Sequence, residues 1–195
     1  MRIIRKRVSQ IMTNPKLRKT LVTLHLVFAG LLTPAFLLLA VTGGNYLLGN
    51  KGSVETTMLE LKSGASLNFD SETLDAEVRE LLDASNIDHK FEYIKNRGSS
   101  LELRPTSKPF IRIQQSGGEL IATMNKPSLQ AGFMELHKGH GPKLFKTYQK
   151  IVALGLIGVV LGGFLVGILA PAYRRRTLIA TGLGTVLFFA LVTLA

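Results

Sequence analysis

Histidine is the main metal-capable side chain in this chain: there are four histidines and no cysteine. Three of them stand where chemistry is conceivable. His25 lies in "TLVTLHLVFAG", a few residues inside an uncharged run, and His137 and His140 lie in "ELHKGHGP", residues 135–142. An ionisable residue inside an apolar span points to function by default, and an imidazole facing a helix bundle is a ligand type for haem iron. The other reading of His25 is a neutral histidine hydrogen-bonded to threonine or backbone near the membrane surface. His137 and His140, spaced i and i+3, would share one face of a helix, with Glu135 nearby as a carboxylate partner for a metal. That triad fails if the segment is helical, because residues two apart diverge by about 200° around the axis. A polar rim above a span, or the edge of a haem site, are the other readings of the pair. His89 precedes a strand and is expected to be solvated.

The remaining chemistry is thin. No cysteine means no disulfide staple, no thiolate nucleophile and no cysteine-held zinc or iron–sulfur cluster. There is no Gly-x-Ser-x-Gly, no His-Glu-x-x-His, no phosphate loop and no dinucleotide fingerprint. Gly182 and Gly184 fall inside an apolar run and read as helix packing.

The elements that must position these residues are mostly membrane spans. Residues 20–50, 151–173 and 177–195 contain no Asp, Glu, Lys or Arg. About 20 apolar residues cross roughly 30 Å of hydrocarbon, so each stretch is long enough to span. The expected division is a basic arm at 1–19, span one at 20–48, a soluble domain at 49–136, an interfacial connector at 137–150, span two at 151–172, an arginine hairpin at 173–176 and span three at 177–195. The first apolar run is far longer than the core of a cleavable signal and lacks a clear small-x-small site after it, which favours an uncleaved anchor.

Charge sorts the compartments. All 13 acidic residues lie between Glu55 and Glu135. Of the 24 basic residues, seven are in the arm and three are Arg174, Arg175 and Arg176, which leaves fourteen from Lys51 to Lys150, a stretch between the spans that is nearly balanced against the 13 acids. Basic residues beside span ends stay in the cytoplasm, so the N-terminus and the arginine triplet are expected inside and the central domain outside, in the periplasm of a bacterial inner membrane. The net charge of +11 would also suit nucleic acid. The basic clusters abut spans, however, where topology and anionic lipid already account for them, so a lipid bilayer and no nucleic acid is the expected partner.

Within the domain, "SVETTMLELKSG" alternates like a half-buried strand with Val54, Thr56 and Met58 on one side. "NFDSETLDAEVRELLDASNI" follows with helical spacing at Leu74, Val78, Leu81 and Leu82, and with Asp70 or Ser71 as cap. The period then drops to two through "KFEYIK", "LELRP", "FIRIQQ" and "LIATMN", with turns at "NRGSS" and "SGGE". The expected fold class is therefore a membrane protein with three transmembrane helices and one α+β domain, a helix on an antiparallel sheet. In the second span Gly155, Gly158 and Gly162, flanked by Gly163 and Gly167, form a small-residue face for close helix packing inside the chain, in a homodimer or with other membrane subunits.

Leu24 and His25 opening the first span, Thr42 and Gly43 closing it, Leu136, His137 and Gly139 before the next, and Arg174 to Arg176 after it together resemble the PepSY-associated transmembrane family. The resemblance implies an extracytoplasmic PepSY-like module on a membrane anchor, tied in larger members to haem-dependent reduction of ferric siderophores. On this basis the expected function is a non-enzymatic accessory protein presenting the domain to a partner complex. The alternative is a haem b electron-transfer component of iron uptake, with His25, His137 and His140 as candidate ligands. His25 and the 137–140 pair are expected about a bilayer apart, so a two-histidine haem at His25 would need a second subunit.

Overall fold

The computed structural model describes residues 15–194. The first fourteen residues of the expected arm and the final Ala195 of the expected third span lie outside them. The chain divides into two compact units: one is built from residues up to Pro34 and from Ile151 onward, the other from Ala35–Lys150.

Among the described residues three helices are long and apolar enough to cross a membrane, by length and composition: α1 (Pro15–Leu47), α4 (Lys143–Leu169) and α5 (Pro171–Leu194). α1 has 33 residues, about 50 Å at 1.5 Å per residue, well beyond the hydrocarbon thickness. The helix ends at Leu47, one residue short of the expected 48, and starts five residues before the expected 20. Near its end Thr42 is almost fully buried and Asn45 donates to Gln130 of the domain at 3.3 Å. The weak helix propensity of Gly43 and Gly44 is overridden here by tertiary contacts.

The third helix also starts early. Pro171 occupies its first turn, where a missing amide proton costs nothing, so Arg174–Arg176 are helical instead of forming a hairpin loop. Arg174 turns back to donate from Nε to the Ile168 carbonyl at 2.8 Å, satisfying a free acceptor at the end of α4.

The second unit is built on a five-stranded antiparallel sheet in the order β1 (Val54–Leu59), β5 (Glu119–Pro127), β4 (Phe110–Ser116), β3 (Ser100–Arg104), β2 (Tyr93–Asn96). Gly117 and Gly118, both at positive φ, make the two-residue turn between Ser116 and Glu119. One sheet face is the core: Leu101, Leu103, Ile111, Ile113 and Ala122 are buried against Phe69, Phe91 and the Val78 and Leu82 stripe of α2 (Leu74–Ala84). Alternation along β3 and β4 then sends Glu102, Arg104, Phe110 and Arg112 to the opposite face.

Two local expectations change. β1 is an edge strand paired only with β5, so its expected apolar side is largely open and Met58 is 66% exposed. At α2 the N-cap is Thr73 and not Asp70 or Ser71. Ser71 and Thr73 both donate to Glu77, which lies one turn into the helix, and these bonds hold its carboxyl below the usual range.

Candidate functional site

The segment "ELHKGHGP" is tied to the sheet domain. Helix α3 (Leu129–His137) begins at Ser128, whose hydroxyl accepts from the Ala131 amide, and ends at His137. Gly139, at φ +77°, breaks the helix in the left-handed region that glycine reaches freely. Beyond it the His140 carbonyl accepts from the Thr106 amide at 3.1 Å, and Tyr93 donates to the Gly141 carbonyl. Glu92 accepts from the Lys143 amide at 2.7 Å, which places a carboxylate at the positive end of α4. The stretch expected as an interfacial connector thus contains the end of one helix, a glycine break and the first turns of another.

This break separates the two histidines. His140 lies past the helix end, so it does not share a helical face with His137. Its Nδ1 donates to Glu135 Oε2 at 2.7 Å. Glu135 also accepts from Thr106 at 2.6 Å and from Lys138 at 3.1 Å. Burial works to raise the Glu135 pKa, but the bonds from Thr106, His140 and Lys138 outweigh it and hold the carboxyl below its ordinary value.

His137 is bonded elsewhere. Its Nδ1 lies 2.7 Å from Thr42 Oγ1, and because that hydroxyl gives its proton to the Leu38 carbonyl, the imidazole is the donor. Gly43 lies beside the same ring: a Cβ there would sit 3.5 Å from His137 Cε1. The Thr-Gly and Leu-His-x-Gly pairs, 95 residues apart in sequence at their hydrogen bond, are one structural contact. Glu135, His137 and His140 are not gathered at one point, and among the described residues no group of three or more metal-ligating side chains forms.

His25 belongs to the other unit. Its Nδ1 lies 3.1 Å from the Val159 carbonyl, which only accepts, so Nδ1 carries a proton. The ring rests against Gly162 and Gly163, and a Cβ on Gly163 would come within 3.0 Å of His25 Cε1. Gly155 receives Leu32, which is buried, and Gly167 receives Thr177 of α5. Gly158 has nothing within 4 Å and lines an apolar slot of about 330 Å³ with Phe28 and Leu31. A tautomer fixed by a backbone carbonyl with Nε2 free is the form in which histidine ligates iron. In that tautomer His25 would offer Nε2 as a single ligand to a haem iron. No second histidine lies among the described residues of its unit.

His89 is half-buried, not fully solvated. Burial pushes its pKa down against the opposing pull of Asp88.

The residues missed at the sequence level lie on the second sheet face. Glu102, buried between strands, receives Arg104 at 2.9 Å, Arg112 at 3.1 Å and Arg97 at 3.2 Å. Burial would raise the Glu102 pKa, but hydrogen bonds from Arg104 and Arg97, with their charge, pull it below the ordinary range. Arg97, Glu102 and Arg112 line a cleft of about 350 Å³ that continues past Phe110 and Met134 to Glu135, Lys138 and His140.

Compared with protein-family models, curated proteins and solved structures, the chain matches none. What the fold defines is a multi-pass membrane protein with a separate antiparallel sheet domain.

Proposed function

We propose that the chain is an inner-membrane accessory protein that presents a periplasmic, PepSY-like domain to a partner complex. The observation that carries this reading is the division of labour between the two faces of the sheet. One face carries the main apolar core cluster, while the other bears a charged cleft whose Arg97 and Arg112 stay partly exposed. Charge left accessible beside such an ion-paired cluster serves to choose a partner. The periplasmic placement draws on the arginine triplet at the start of α5 and on the confinement of every acid to the interval between the first two spans. Purification from native membranes in a mild detergent tests it. A partner should co-elute at a fixed ratio; a lone monomer that binds nothing would contradict the reading.

The carbonyl-fixed tautomer of His25 favours a second reading, a haem-bearing electron-transfer component of iron uptake. Haem would supply one-electron transfer, and His25 would hold it through Nε2 with its counterpart from a second subunit. Membranes enriched in the protein should then show a b-type Soret band that is lost in His25→Ala. A colourless preparation after haem supplementation would reject it.

A further inference from the structure

The second face of the sheet carries more positive charge than its own carboxylate neutralises. Around Glu102 stand Arg97, Arg104 and Arg112, three guanidiniums on one carboxylate. Arg112 lies directly across from Glu102 in the β3–β4 register, and Arg97 reaches in from the β2–β3 turn. The Arg104 side chain is 5% exposed, and its Nε has no hydrogen-bond partner among the described residues. A buried donor left unmade is costly, and a charged one more so. Arg97 and Arg112 are 48% and 38% exposed at the side chain, so they keep accessible N–H groups while anchored to Glu102. The carboxylate of Glu135 at the other end of the cleft is already taken up by Thr106, Lys138 and His140. It does not offset the arginine excess.

The cleft has an apolar part as well, where Val54 is exposed above the buried Phe110 and Met134. At about 350 Å³ it falls in the lower range of small-ligand sites. Guanidinium forks match carboxylates in a planar, two-bond geometry, and Glu102 shows that this cluster already holds one. Arginines sharing a cleft with an exposed valine suit an acid attached to an apolar body better than a bare inorganic ion.

We propose that this cleft binds a carboxylate adjoining an apolar side chain, presented by an acidic segment of a partner protein. The identity of the bearer rests on the accessory reading above; the carboxylate chemistry does not. A free organic acid is the other source of the same group.

The test uses the full chain in detergent micelles and fluorescence polarisation of a labelled hexapeptide alternating Glu and Leu. The Gln–Leu counterpart and unlabelled N-acetylglutamate serve as comparison probes. Saturable binding of the Glu peptide is expected, weakened at least tenfold in the Gln peptide and in both Arg97→Gln and Arg112→Gln. Each variant is first matched to the parent in far-UV circular dichroism and melting midpoint. If Arg112→Gln fails that match, Arg97→Gln, at the turn, carries the test alone. Equal binding of the Glu and Gln peptides, no binding, or unchanged affinity in a folded variant overturns the proposal. Displacement of the peptide by equimolar N-acetylglutamate overturns the partner-segment source and assigns the site to a free acid. Retained co-purification of a partner alongside absent peptide binding rejects this inference and leaves the accessory reading standing.

Discussion

At the scale of single residues, the chain's polar side chains act through pairs that fix one another's protons. Thr42 both donates to Leu38 and accepts from His137, so its hydroxyl joins α1 to the end of α3. Thr42→Val keeps the shape and leaves a half-buried imidazole N–H without its partner, which should cost about 1 kcal/mol, whereas Thr42→Ser should cost clearly less. Chemical denaturation in detergent measures both, and equal stability in the two variants would refute the role of the hydroxyl. Glu102 and Glu135 make a second residue-scale prediction. Their folded pKa values lie below the ordinary value, so their stabilising contribution is complete above the unfolded value of about 4.3. It is lost as pH falls through the lower folded values. Acid unfolding of the domain should therefore set in below that pH, and Glu135→Gln should flatten the pH dependence; an identical acid profile in that variant would count against the linkage.

At the scale of elements, the glycines of α4 show how the spans meet inside one unit. Gly155 and Gly163 admit Leu32 and His25 from α1, so the small residues receive side chains instead of bringing two bare backbones together. A Cβ at Gly155 would lie 3.6 Å from Leu32 Cγ, close to where a cysteine sulfur would stand. The pair Leu32→Cys and Gly155→Cys should therefore oxidise to a disulfide in membranes, with no native cysteine to compete. Absence of the cross-link under oxidant would contradict this helix contact. The elements were largely legible in sequence: uncharged runs marked the spans, and the switch from period 3.6 to period two marked α2 and the hairpins. Helix starts were not: α5 begins at Pro171, ahead of the arginines expected to form a hairpin, because proline at the first turn is ready for helix. The arginine cluster was hidden as well. "LELRP" reads locally as an apolar side and a solvent side, yet Glu102 and Arg104 are buried, and only the pairing register reveals that Arg112 lies across from Glu102.

At the scale of the whole molecule, the sequence exposes an order that no single element carries. Acids are confined to one interval, basic residues flank the spans, and the sheet domain is a compact unit apart from most of the apolar helices. The proposed topology has α5 beginning in the cytoplasm, so a reporter fused after Arg176 should behave as cytoplasmic and one inserted after Gly118 as periplasmic. The reverse pattern would invert the assignment. His25 and His137 belong to different units.

The central claim, a membrane-anchored domain that recognises its partner through the charged cleft, meets its most direct test in site-specific photo-cross-linking in native membranes. A photo-reactive side chain in place of Val54, which lines the cleft, should capture one discrete partner, while the same group in place of exposed Glu80 on α2 should not. Capture from both positions alike, or from Glu80 alone, would contradict the account.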